Sequence, residues 1–258
     1  MKKNKLIFAA LFTIIPFLLW VIANPALNVV LFCLSGVMAI FSRYWQSIKQ
    51  INTLIEIIFL FFLLNFSLNR FGLENFFPMQ NIITIALLYF FLFYFKKERR
   101  TELYIRIGDL RGTVIYAVGV SLISITALGV WFLNLSGNPY AQFLPRVNLP
   151  LLLLFGLGFA VINAFYEESL FRSILLSYFK RQFGITVAIA LQALWFSLLH
   201  YQSGFPSGWM GILMTLFFGC VMGIFTHRSR GIFIAVVVHF LADLSIFILV
   251  MLRSNQIL

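Results

Sequence analysis

The feature that most constrains this chain is the recurrence of apolar runs, each long enough to cross a bilayer or nearly so, with charge confined to the segments between them. A chain in lipid must satisfy every backbone N–H and C=O within itself, so spans of this length fold as helices. Nine candidate helices follow: Leu6–Ile22, Ala26–Phe41, Ile51–Leu68, Met79–Phe95, Thr113–Leu133, Pro150–Tyr178, Ile185–His200, Trp209–Phe225 and Ile232–Leu252. The first two can also form one distorted hairpin, which makes eight. The expected fold is all-α: a polytopic transmembrane helix bundle of 8–9 spans forming a single transmembrane domain over residues 1–258. Residues 1–112 hold the N-terminal spans and an inner-surface segment. Residues 150–252 hold the helices that carry the motifs below.

Composition supports this and removes other classes. The chain is 62% hydrophobic and only 10% charged, against about 25% charged in a soluble domain. The net charge of +11 does not point to nucleic acid, because its cations fall in alternate loops. With the N-terminus inside, the inner segments hold Lys2, Lys3, Lys5, Arg43, Lys49, Lys96, Lys97, Arg99, Arg100, Arg106, Arg111, Lys180, Arg181, Arg228 and Arg230. The outer segments hold only Arg70, Arg146 and Arg253. This bias is the positive-inside pattern; it predicts a cytoplasmic N-terminus, an outer C-terminus and the bilayer as a constant partner. The start, MKKNKLIFAALFTIIPFLLWVIANPA, has the basic and apolar order of a signal peptide, and is read as a retained first helix. Cys33 and Cys220 both sit in apolar runs and form no metal spacing. In Lys96–Gly112, Leu103, Tyr104, Ile107 and Leu110 recur at helical spacing among charges, which predicts a segment lying along the inner surface.

Few ionisable groups fall inside spans. Glu56 is near the inner end of its helix, where a side chain can reach the interface. Glu167, Glu168, Arg172, His200, His239 and Asp243 have no such exit. A charge at the bilayer centre costs roughly 2.5–3.5 kcal/mol on insertion scales, so such groups face the protein interior and mark a site. Glu168 and Arg172 are four apart with the acid N-terminal, the favourable order for an ion pair. Glu167 is rotated by about 100° and has Phe171 where a cation would stand. One carboxylate is thus compensated and its neighbour is free for proton exchange. His200 ends WFSLLH, one turn after Phe196, and His239 and Asp243 are four apart in VVVHFLAD. At about 1.5 Å per residue, Glu167 lies roughly 20 Å from Lys180 and His200 roughly 24 Å from Gly184. His239 and Asp243 lie roughly 12 and 18 Å from Gly231 on the same count, and His239 fits a common level least well.

These motifs, EExxxR, FxxxH and HxxxD in that order on three helices, resemble the CAAX-protease and bacteriocin-processing (Abi) family of intramembrane endopeptidases. The resemblance covers about Pro150 to Leu252. It implies Glu167, His200, His239 and Asp243 as catalytic residues, with Glu168, Arg172 and Phe196 in support. Asp243 departs from the family's commoner Asn, and an ionised Asp cannot donate a hydrogen bond. Either Asp243 carries a proton, as one carboxyl of a close pair can, or Glu167, His200, His239 and Asp243 hold a divalent metal such as zinc. The metal-free form, with a glutamate-activated water and no cofactor, is the expectation. The implied activity is hydrolysis of a peptide bond in a membrane-embedded or lipid-anchored substrate. The setting is an integral protein of a bacterial plasma membrane. A non-catalytic bacteriocin-immunity or scaffold protein is one alternative. A proton-coupled transporter is another, although the inverted repeats typical of transporters are not visible.

Overall fold

The computed structural model describes residues 36–37, 40, 52–70, 78–201 and 204–254. The two expected helices Leu6–Ile22 and Ala26–Phe41 therefore fall almost wholly outside the described residues, as do Cys33, Glu74 and the basic residues before Lys96 that set the N-terminal charge bias. Within the described residues all regular structure is helical.

Helix α1 is Asn52–Arg70. Helix α2, Met79–Phe90, continues as a π-turn over Phe91–Phe95. Helix α3 is Val114–Leu133. Helix α4 runs without a break over Leu149–Phe183, with a π-turn at Ser169–Leu175. Helix α5 is Ile185–Leu199, α6 is Gly208–Ser229 and α7 is Phe233–Ser254. The start of α4 is set locally: Asn148 accepts a hydrogen bond from the Leu151 N–H at 3.1 Å, and Pro150 occupies the first turn. Helices α3, α4, α6 and α7 are long and apolar enough to cross a membrane; the apolar α1, α2 and α5 are shorter. Ile115, Leu122, Ile123, Leu154, Leu213 and Phe217 stand exposed, whereas Glu168, Arg172, Gln192, His239 and Asp243 are buried. An apolar exterior around a polar interior is the arrangement of an integral membrane protein.

Helix α7 packs between α3 and α4, and α5 lies along α6. The α5–α6 approach depends on Gly219 and Gly223, one turn apart. A Cβ on Gly219 would stand 3.1 Å from Ala193, and one on Gly223 would stand 2.7 Å from Gln192 Nε2. Small residues at this spacing let backbones close in, and the Gln192 amide then donates to the Gly219 carbonyl at 2.8 Å.

Successive loops between α2 and α7 meet at opposite ends of the bundle. At one end, Asn138 donates to the Val250 carbonyl at 3.0 Å, and Arg253 donates to the carbonyls of Phe132 and Leu135, each at 2.7 Å. At the other, residues 96–112 meet the ends of α4, α6 and α7. Here the helical spacing of Leu103, Tyr104, Ile107 and Leu110 does not become a helix. The segment is a run of turns, with Lys97, Tyr104, Gly108 and Gly112 at positive φ. Tertiary contacts outcompete the local pattern. The Tyr104 carbonyl accepts from the Ile232 N–H at 3.0 Å, and the Asp109 N–H donates to the Ser229 carbonyl at 2.7 Å. Leu103 and Tyr104 are buried, while Ile107 stands exposed. Glu56 is buried and pairs with Lys96 at the end of α2 rather than reaching the interface on its own.

Glu98 clamps this segment to α4. It accepts from Tyr178 at 2.6 Å and from both terminal nitrogens of Arg181 at 2.6 and 2.8 Å. Partial burial opposes the charge, but the bonds from Arg181 and Tyr178 outweigh it and hold the carboxyl below the usual carboxylate range. A depressed folded value stabilises the docked form fully above the unfolded value of about 4.3, and the contribution disappears as pH falls through the folded value. A dye on Ile107→Cys, in a background lacking Cys33 and Cys220, should keep constant anisotropy down to about pH 5 and gain mobility below about pH 4. Glu98→Gln should be mobile throughout; identical behaviour of this variant and the parent would remove Glu98 from the clamp.

Candidate active site

The centre of the site is His239 on α7. Its Nδ1 lies 2.7 Å from Glu168 Oε1. Its Nε2 lies 3.4 Å from Glu167 Oε2 and 3.6 Å from Asp243 Oδ1. Glu168 also faces Arg172, with Nη1 3.1 Å from the same Oε1. A carboxylate held by Arg172 can only accept, so Nδ1 carries the proton that joins His239 to Glu168. That orients the ring and turns Nε2 toward the other two carboxylates.

Glu167 and Glu168 are adjacent in sequence but differently placed. The Glu168 side chain is fully buried, whereas that of Glu167 keeps 18% of its surface exposed. Glu167 Oε2 has no hydrogen-bond partner among the described residues. The expected division therefore appears in the geometry: Glu168 is tied to cations, and Glu167 is the more accessible carboxylate. The extra finding is that Glu168 also holds His239, so it belongs to the site and does more than steady its helix.

Arg172 is fully buried within the π-turn of α4. Its Cζ stands 4.4 Å from the centre of the Phe196 ring and 5.8 Å from that of Phe171. Phe196 thus covers the guanidinium with the face of its ring, a favourable cation–π arrangement when desolvated. Its ring also packs 4.6 Å from His200 and edge-on 5.9 Å from His239. The FxxxH motif supplies both a histidine and the aromatic plate that connects it with the rest of the site.

His200 caps α5, with Nδ1 2.8 Å from the Phe196 carbonyl. A carbonyl accepts only, so Nδ1–H donates and Nε2 is left as the acceptor. Gly204, at φ +128°, lies against this ring; a Cβ there would be 2.6 Å from His200 Cδ2. No hydrogen bond or ion pair joins His200 to Glu167, His239 or Asp243 among the described residues. The four expected catalytic groups are thus brought into one region, but only three of them are in direct polar contact.

One partner was missed in the sequence. Asn163 Nδ2 donates to Asp243 Oδ2 at 3.1 Å. Its signal was present: Asn163 lies four residues before Glu167, on the same face of α4. The π-turn at Ser169–Leu175 was also not foreseen. Whatever the straight-helix count suggests, Glu167 and His239 meet at 3.4 Å, beside a π-turn of the kind that is frequent at functional sites.

Zinc would need at least three donors converging on one point. Among the described residues no group of three or more His, Cys, Asp or Glu side chains is arranged to hold a metal ion.

Fold and site together define an integral membrane protein, helical throughout its described residues, with paired carboxylates and histidines gathered among its helices. Residues 149–245 match the family described as type II CAAX prenyl endopeptidase, Rce1-like. The matched segment begins at the N-terminus of α4 and ends just beyond Asp243, so it contains every one of the site residues above and coincides with the part of the chain that carries the motifs. No curated protein and no solved structure matches the chain.

Proposed function

We propose that the protein is an intramembrane endopeptidase that hydrolyses a peptide bond in a membrane-embedded or lipid-anchored peptide or protein tail. The observation that carries this reading is the convergence of Glu167, Glu168 and Asp243 on the two nitrogens of His239, within the segment that matches a peptidase family. Glu167, the accessible carboxylate, takes a proton from a water positioned with the help of His200 Nε2. The resulting hydroxide attacks the scissile carbonyl, and Glu167 passes the proton to the leaving amine. His239, with a proton on Nε2, donates to the oxyanion of the tetrahedral intermediate, and Asp243 aligns that nitrogen. Glu168, Arg172 and Phe196 hold the ring in place. The water is activated without metal. The bundle has eight or nine spans with its N-terminus in the cytoplasm of a bacterium. Its substrates are leader peptides, bacteriocin or signalling-peptide precursors, or the tails of sorted proteins.

The test is cleavage of membrane-anchored reporter peptides by the purified protein in lipid nanodiscs, with Glu167→Ala as the inactive control. A chelator should leave the rate unchanged. Asp243→Asn should keep it within about tenfold, because an amide can still contact His239 and can add a donor toward the oxyanion. Loss of activity with chelator, restored by zinc, would replace the metal-free mechanism with a metal-dependent one.

A further inference from the structure

Some 15 Å along α4 from Glu167, at the rise of a helix, the end of the bundle that carries residues 96–112 contains a cavity of about 430 Å³. Thr101, Glu102, Tyr104 and Arg106 line it from the turns, Ser177, Lys180 and Arg181 from α4, and His227 and Arg230 from the end of α6. Arg181 is neutralised by Glu98, and Glu102 lies 3.4 Å from it. That leaves Arg106, Lys180 and Arg230 without an acidic partner among the described residues. Arg106 Nε donates to the Arg230 carbonyl, which keeps its terminal nitrogens free. Lys180 Nζ donates to the Tyr104 hydroxyl at 3.0 Å, which in turn lies 3.4 Å from His227 Nδ1. This chain fixes the ammonium and leaves two of its protons unused.

The second observation is Ser177. It is 2% exposed and lines the cavity, yet its hydroxyl has no hydrogen-bond partner among the described residues. A buried serine in a helix can bond back to a carbonyl one turn earlier, and Ser177 does not. A buried, unpaired donor beside three unneutralised cations is an incomplete anion site.

We propose that this cavity binds a phosphate group, that of an anionic phospholipid headgroup, with Ser177, Lys180, Arg106 and Arg230 as its donors. The location favours lipid as the source. The cavity opens where α4 and α6, both long enough to span, come to their ends, and exposed Tyr94, Phe95 and Ile107 lie on the same end of the bundle. Basic pockets between spans at this depth take anionic headgroups, and the volume suits a phosphoglycerol unit.

Titration calorimetry on the full-length protein in detergent, with water-soluble dihexanoyl lipids, tests this without reference to peptide cleavage. Dihexanoyl phosphatidylglycerol should bind at least tenfold more tightly than dihexanoyl phosphatidylcholine. Lys180→Gln, Arg230→Gln and Ser177→Ala should each weaken it about fivefold. Lys180→Arg, which keeps the charge, should stay within about twofold. Inorganic phosphate should compete only at far higher concentration; phosphate binding as tightly as the lipid would keep the phosphate site and assign it to the free anion. Equal binding of the two lipids with no binding of phosphate would overturn the proposal, as would affinities unchanged by all three substitutions. So would an oligoglutamate peptide that binds more tightly than either phosphate source, since the site would then read carboxylates.

Discussion

Glu167→Gln lowers the rate of reporter cleavage by roughly 10²–10⁴-fold, the span of a lost general base, while the thermal midpoint stays within a few degrees of the parent. Both halves of this expectation come from geometry. Gln keeps the volume and one acceptor oxygen but cannot take a proton from water. Glu167 Oε2 makes no hydrogen bond among the described residues and lies 3.4 Å from His239 Nε2, so little native structure depends on its charge. Glu168→Gln provides the contrast. Glu168 is fully buried between Arg172 and His239, and its neutralisation should depress stability and activity together. A Glu167→Gln protein with undiminished cleavage would remove the base assignment. In cells, a phenotype retained in Glu167→Gln would favour an immunity or scaffold role over proteolysis.

Arg172→Leu should lower the thermal midpoint in detergent by on the order of 10 °C. Removing one partner of a buried pair leaves the other charge uncompensated, at a cost of about 3–5 kcal/mol. Here the orphan is Glu168, with no exposed surface and only His239 left to it. Phe196 also loses the cation it covers at 4.4 Å. The double variant Glu168→Gln/Arg172→Leu should recover more than half of the lost stability, because Gln can still accept from His239 Nδ1 and no charge remains to be buried. Equal midpoints for the single and double variants would mean that the loss comes from packing at the π-turn and not from the charge on Glu168.

These expectations depend unequally on sequence and structure. The paired carboxylates, the EExxxR spacing and the freedom of Glu167 were legible because i,i+4 geometry is local and nearly invariant in a helix. The helix limits were legible for the same reason: apolar runs bounded by turn residues reproduced α1–α7 to within a few residues, except that α4 continues past Tyr178 to Phe183. The double duty of Glu168 was not legible, since nothing in HFLAD states which carboxylate its histidine will face. Asn163 stood at a legible position, one turn before Glu167 on the same face, but its partner Asp243 arrives from another helix and could not be read from the spacing.

The segment 96–112 illustrates the opposite failure, a local pattern that was present and did not decide the outcome. Its helical spacing was real, but Leu103 and Tyr104 are buried and its backbone is paired with Ser229 and Ile232, contacts that a surface helix could not make. Sequence alone determined a helical membrane protein, the limits of its described helices and the set of groups too costly to bury without a purpose. Only the tertiary structure decided that His239, rather than His200, is the hub of the carboxylates, and that Ser177 faces a basic cavity. The reason is physical: helix periodicity is set by neighbours three and four residues away, whereas the rotation and depth at which separate helices meet are set by packing across the whole bundle.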